Sequence, residues 1–296
     1  MLKRLLTPVS VEATTLPDTW FQAVYQCIHY GRDFIIDRGS FAGDKRLEFD
    51  YFTAHITQPW VGSDSDINLL LPHLAEGCSI PNPVEDGYLD NYVANYLLGN
   101  EVSHEESYTY GQRMTKYPIS YEWYRMRNSE GKTSTGEKPW KEILIQEDEF
   151  WEDPNIIIFE NSQYYLNQIE LLKKTYKTKG FRNNQMVIQV AHPSDMLLQD
   201  PPCLRLIDTR IQEEVDGKTY LHFFPEFRSW DLWGGFPANL GGIELMKQLI
   251  AGDIGVENGS MIVRSKGLHL YKYVWELAEA IAHKSIDEAR ECILQT

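Results

Sequence analysis

The chain has 296 residues, 43% of them hydrophobic and 12% aromatic, which is enough apolar material to bury a substantial core and argues against global disorder. Its formal charge of -15, from 43 acidic against 28 basic residues, disfavours polymeric nucleic acid as a partner, although a few converging arginines could still hold one small phosphorylated ligand. No apolar run approaches the ~20 residues of a membrane-spanning helix, and four cysteines at 27, 78, 203 and 292 without CxxC spacing predict free thiols in a soluble, cytoplasmic protein.

Between Trp20 and Tyr30, the apolar positions Phe21, Val24, Tyr25 and Ile28 recur at helical spacing, and Gly31 offers a stop. Alternation from Leu47 to Thr57 predicts a strand ended by Pro59. Residues 88–99, YLDNYVANYLLG, read as a helix with Gly99 as its C-terminal signal. From Arg125 to Asp153 the composition turns polar around NSEGKTSTGEK, which predicts an exposed insertion. A helix is expected over Gln163 to Tyr176 and a buried strand over Gln185 to Val190. Asp216-Gly217 between Cys203–Glu213 and Thr219–Arg228 is a hairpin signal. Leu240, Ile243, Met246 and Ile250 then form an amphipathic pattern stopping at Gly252, and Leu270, Val274, Leu277 and Ile281 predict a last long helix from about His269.

Several familiar motifs fail. Gly131-Lys132-Thr133 and Gly217-Lys218-Thr219 end like phosphate loops, but Met126 and Gln212 stand where the first glycine belongs. No GxGxxG, HExxH or paired CxxC occurs, so no dinucleotide or metal site is expected. Pro201-Pro202-Cys203-Leu204 places a cysteine at the start of a predicted strand, behind two prolines that fix an extended entry. Alone, such a cysteine is more often a small buried hydrophobe. Arg228 to Asn239, RSWDLWGGFPAN, packs charge, hydroxyl, carboxylate, glycines and an amide just before a helix. Alone, it could be a loop with a surface arginine and a capping asparagine.

Together, PPC, the DG hairpin, RSxDxxGGxPxN and HLY resemble, in order and spacing, the active-site motifs of the thymidylate synthase and pyrimidine nucleotide hydroxymethylase superfamily. The PPCLRLID context is most similar to its archaeal branch. The likeness is close over about residues 182–275 and diffuse before. Upstream, Asp37-Arg38-Gly39-Ser40 resembles the family's phosphate loop and Tyr110-Gly111-Gln112-Arg113 its YGxR-type segment.

The resemblance implies one α+β domain over residues 1–296, with a mixed, twisted sheet of about six strands covered by helices on one face and packed against a twin subunit on the other. It implies transfer of a one-carbon unit from 5,10-methylenetetrahydrofolate, a co-substrate, to C5 of a pyrimidine nucleoside monophosphate, dUMP to dTMP, without a metal. Cys203 would add to C6, its thiol pKa lowered by a neighbouring cation, foremost Arg228. Arg228 and Ser229 would bind the phosphate, with Arg38 as a second ligand. In the family two further arginines come from the partner subunit, and the corresponding stretch Phe181 to Gln185 offers only Arg182. Asn239 would read the base, His269 and Tyr271 the sugar hydroxyl, and Asp231 with Gly235 the pterin. Tyr110 joins the catalytic set. The family's acid/base glutamate has no clear equivalent: counting back from Gly99 reaches Tyr92, and Asp90 is the nearby carboxylate. That gap, and a closing ARECILQT unlike the family tail, leave open water capture of the intermediate to give 5-hydroxymethyl products from dUMP, dCMP or CMP. An inactive binding relative is the third alternative.

Overall fold

The computed structural model describes residues 5–37, 41–60, 67–74, 79–99, 102, 107–119 and 153–282. Apart from Asp153, the expected insertion and the ARECILQT terminus lie outside these residues. In chain order the elements are β1 (Pro8–Ala13), α1 (Leu16–Tyr30), β2 (Arg32–Ile35), β3 (Lys45–Glu48), β4 (Tyr51–Ile56), α2 (Tyr88–Tyr92), α3 (Tyr110–Thr115), β5 (Tyr117–Ile119), β6 (Ile157–Glu160) and β7 (Gln163–Leu166). They continue with α4 (Gln168–Lys179), β8 (Val187–Gln189), β9 (Leu204–Glu213), β10 (Thr219–Phe227), β11 (Trp230–Asp231), α5 (Gly235–Ile254), β12 (Glu257–Ser265), β13 (Leu268–Tyr271) and α6 (Trp275–Ala282).

The hairpin forms where the Asp-Gly signal put it. Gly217 turns at φ 77, a left-handed conformation that costs glycine little, and β9 and β10 pair antiparallel from Glu213 opposite Thr219. This hairpin belongs to a six-stranded mixed sheet in the order β1-β4-β12-β10-β9-β8, with β1/β4 and β10/β12 parallel and the other pairs antiparallel. Strand alternation buries Val11, Phe52, Ala54, Phe223, Met261 and Val263 on one face, where α1 and α5 cover β1, β4, β10 and β12. On the alternate positions Thr53 and His55 are half-buried and Ile262 and Arg264 exposed. That is the face the resemblance assigns to a twin subunit. Smaller sheets, β11-β13-β3-β2 and β5-β7-β6, flank the large one, so helices and mixed sheets combine as expected for the α+β class.

Four local expectations change. The run from Leu47 to Thr57 is two strands in different sheets, β3 and β4; Phe49 breaks away to bond the Leu268 carbonyl at 3.0 Å. Gln163 to Leu166 is strand, not helix, and α4 starts only after Asn167 accepts the Glu170 N–H at 3.2 Å. Helix α5 passes Gly252 to Ile254 and ends on Gly255 at φ 85. His269 lies in β13, because pairing with β3 and β11 outcompetes the helical periodicity, and α6 starts at Trp275. Among the described residues no helix is long and apolar enough to cross a membrane.

Candidate active site

Cys203 immediately precedes β9 as a half-buried free thiol. Its carbonyl accepts the Arg228 N–H at 2.9 Å, which extends the β9–β10 ladder by one rung. Just inside, the register shifts: Glu226 faces Leu206 but Phe227 faces Leu204, so Arg205 bulges out beside the nucleophile. The Arg228 guanidinium braces the two prolines, its Nε donating to the carbonyls of Pro201 at 3.1 Å and Pro202 at 3.2 Å. Its Nη2 also pairs with Asp200 at 2.9 Å. From the other side the Tyr110 hydroxyl accepts the Leu204 N–H at 3.2 Å. The backbone carrying the thiol is therefore held by main chain on one side and by a side-chain hydroxyl on the other.

The expected lowering of the Cys203 pKa is overturned in sign. Burial raises it above the usual thiol range, and Asp200 and Asp231 add to that, while Arg228 and Arg205 only partly oppose them. A cation beside a thiol favours thiolate, but desolvation disfavours any charge, and here desolvation is larger.

Asn239 lies in the first turns of α5, half-buried. Its Oδ1 accepts the Trp230 indole N–H at 2.9 Å and its Nδ2 donates to the Tyr92 hydroxyl at 2.8 Å. Tyr92 reaches this point because α2 packs closely on α5: a Cβ at Gly242 would lie 2.7 Å from the Tyr92 ring. Burial holds the Tyr92 phenol far above its ordinary pKa, so it is a neutral hydroxyl where a carboxylate was sought. Asp90, two residues earlier, is exposed, and nothing among the described contacts brings it to Asn239 or Cys203. The sequence had pointed at Tyr92 only by counting, and Trp230 only as the variable position of RSxD; a donor-only indole in that slot was the available signal.

The loop between β11 and α5 is organised by Asp231. Its Oδ1 accepts the Trp233 N–H at 3.2 Å, and its Oδ2 those of Gly234 and Gly235 at 3.1 and 2.9 Å, capping a helix whose N-cap residue, Gly234, has no side chain. Burial raises the Asp231 pKa against these three bonds. A side chain at Gly235 would press on Asp231, 3.2 Å away. The Trp20 indole donates to the carbonyls of both Leu232 and Trp233 at 3.0 Å, tying the loop to α1.

His269 is buried, with Nδ1 donating to the Gly267 carbonyl at 2.8 Å. Its Nε2 has no hydrogen-bond partner among the described residues. Burial lowers its pKa to about 4, so Nε2 is a bare acceptor at neutral pH. Tyr271 packs edge-on to His269 at 4.6 Å, and its pKa, raised to about 12, owes most to burial, with Asp231 and Cys203 near enough to contribute. Ser229 is half-buried between Arg228 and Trp230.

Two expected ligands are not gathered here. Arg38 lies outside the described residues. Arg182 is exposed and lines a separate cavity with Phe181, Arg210, Ile211 and Thr219, at the far end of β9 from Cys203, roughly 25 Å away at strand rise. It cannot reach the cysteine of its own chain.

Known proteins resemble this chain along most of its length. Relatives carrying the name "Putative thymidylate synthase" include one from Methanosarcina barkeri, 23% identical over 271 residues that cover 92% of this chain and 93% of that protein. Another, from Methanothermobacter thermautotrophicus, is 20% identical over 278 residues, covering 92% and 97%. A third, from Methanosarcina acetivorans, is 31% identical over 116 residues, 39% of this chain and 51% of that protein. The family model described as thymidylate synthase matches residues 107–295, a span that takes in Tyr110, the cysteine loop, the RSWD segment and the His-Leu-Tyr strand, and on that match the chain belongs to the thymidylate synthase family.

Proposed function

We propose that this protein transfers a one-carbon unit from 5,10-methylenetetrahydrofolate to C5 of dUMP, giving dTMP, through a covalent bond between Cys203 Sγ and C6 of the ring. The carrying observation is that one free, half-buried thiol is tied by its own carbonyl to the backbone of Arg228, on the strand that leads into the segment bearing Asp231 and Asn239. C5 of uracil is a weak nucleophile. When the thiolate adds to C6, the C5–C6 π electrons move into an enolate over C5, C4 and O4, and C5 can attack the methylene carbon.

Arg228 keeps Nη1 outside the bonds that brace the prolines, so that edge, with the Ser229 hydroxyl, is suited to the substrate phosphate. Arg38 is a further phosphate ligand in this scheme. Asn239 reads the base, the bare Nε2 of His269 accepts a sugar hydroxyl, and Tyr271 stands next to it. Asp231 Oδ1 has one backbone partner, and an ionised carboxylate oxygen has a second lone pair for an N–H of the pterin. Tyr110 orients the nucleophile loop. Because Arg182 cannot serve its own Cys203, the site is completed in a homodimer, with Arg182 of each subunit on the other's phosphate.

Loss of the C5 proton and cleavage of the bond between the methylene carbon and the folate nitrogen then eliminate tetrahydrofolate and leave an exocyclic methylene on a ring still bonded to Cys203, which is released when hydride or water adds to the methylene. A hydride from the folate gives the methyl product and dihydrofolate; addition of water gives a hydroxymethyl product and leaves tetrahydrofolate. The second outcome stays in view because the position sought for a carboxylate is the neutral Tyr92. Incubation with 5-fluoro-dUMP and methylenetetrahydrofolate should give a ternary adduct on the peptide carrying Cys203, seen by mass spectrometry. Absence of any adduct with fluorinated dUMP, dCMP or CMP would refute both outcomes and leave an inactive binding protein. Dihydrofolate formation with dUMP separates methyl from hydroxymethyl transfer.

A further inference from the structure

We infer that Trp230 sets the base preference of this site, by fixing which way round the Asn239 amide faces. The inference rests on the proposed nucleotide site and adds a specificity-determining residue to it. An asparagine amide is nearly symmetric in shape, and in one orientation it complements uracil while in the flipped orientation it complements cytosine. Uracil offers an acceptor at O4 and a donor at N3. Cytosine offers a donor at N4 and an acceptor at N3. Selectivity therefore depends on whatever prevents the flip.

The two partners of the amide differ in this respect. The Tyr92 hydroxyl, 2.8 Å from Nδ2, can either accept a hydrogen bond or donate one, so it tolerates both orientations. The Trp230 indole N–H, 2.9 Å from Oδ1, can only donate. Flipping Asn239 would set the amide NH2 against that N–H, two donors facing each other, and Trp230 is only 2% exposed, so water is poorly placed to intervene. Trp230 cannot easily retreat either: its ring stacks on Phe227 at 3.7 Å and tilts against Phe236 at 4.5 Å. The amide is left with one free N–H on Nδ2 and one free lone pair on Oδ1, the pair that matches O4 and N3–H of uracil.

The test measures binding of dUMP and dCMP to the intact protein by calorimetry, in wild type, Trp230→Phe and Tyr92→Phe. Phenylalanine keeps one aromatic ring at each position; it removes the indole N–H together with the five-membered ring in the first case and only the hydroxyl in the second. Wild type should favour dUMP at least about tenfold, as expected for one mismatched buried donor. Trp230→Phe should shrink that ratio about tenfold or more, mainly by tightening dCMP, whereas Tyr92→Phe should weaken dUMP and leave the ratio within about threefold of wild type. A ratio unchanged by Trp230→Phe, or shifted as much by Tyr92→Phe, overturns the role of Trp230 while leaving the nucleotide site standing. If Trp230→Phe does not fold, wild type still decides, because equal affinity for the two nucleotides also overturns it. Failure of wild type to bind either nucleotide overturns the nucleotide site itself, and the inference with it.

Discussion

The Tyr110 hydroxyl accepts the backbone N–H of Leu204 at 3.2 Å, linking α3 to the first residue of β9, one position after the nucleophile. Leu204 is fully buried, so its N–H has no recourse to water when the phenol oxygen is removed. Tyr110→Phe should destabilise the protein by about 1–3 kcal/mol, read as a lower urea midpoint at unchanged slope. Adduct formation at Cys203 should slow as well. A variant with wild-type stability and adduct rate would show that the contact does not hold the loop.

Cys203 should alkylate slowly at neutral pH in the ligand-free protein, because its pKa stands above the usual thiol range through burial. The rate of iodoacetamide labelling of its peptide should keep rising beyond about pH 8.5, where an ordinary free thiol is half ionised. Arg228→Gln removes the leading opposing cation, so its profile should move further up in pH. A profile levelling off below pH 8 would contradict the dominance of desolvation.

His269 couples folding to pH. Its folded pKa is about 4 against 6.5 for the unfolded group, so the unfolded chain binds the extra proton first as pH falls. Stability from this residue is fully present above about pH 6.5 and is lost as pH drops toward about 4. The loss amounts to about 2 kcal/mol between pH 7 and pH 5. Urea unfolding at those two pH values should give a smaller difference in His269→Gln than in wild type; equal differences would mean that the imidazole is not held neutral.

Asp231 caps α5 through three backbone N–H groups. Asp231→Ala leaves them without that acceptor and should cost about 1–2 kcal/mol or more, seen as a lower melting temperature. If Asp231 also binds the pterin, Asp231→Asn should raise the KM for methylenetetrahydrofolate more than that for dUMP. Parallel changes in the two would restrict Asp231 to its capping role.

Complementation tests the shared site. Cys203→Ser and Arg182→Ala homodimers should each be weakly active, and subunit exchange between equal amounts should restore about a quarter of the wild-type sites, since half the dimers are mixed and each mixed dimer has one intact site. No recovery after demonstrated exchange would remove Arg182 from the partner's site.

The hairpin of β9 and β10, the glycine-ended α1 and the long α5 were legible in residue order, because each is signalled within a few neighbouring residues: Asp216-Gly217 for the turn, Gly31 for the stop, a 3.6-residue apolar period for the helix. The sheet membership of residues 45–56 and of His269 was not, because a strand's partners lie far along the chain and local alternation does not say which sheet will accept it. Motif order alone led to Cys203, Arg228, Ser229, Asp231 and Asn239, since those residues sit in short segments whose spacing survives without knowledge of the fold. Whether the thiol is easily ionised and which way the Asn239 amide faces were decided only in three dimensions. So was the identity of the group standing where a carboxylate was sought. Desolvation depends on everything packed around Cys203, and the orientation of Asn239 depends on a tyrosine 147 positions away that reaches it only because Gly242 leaves room for α2 to close on α5.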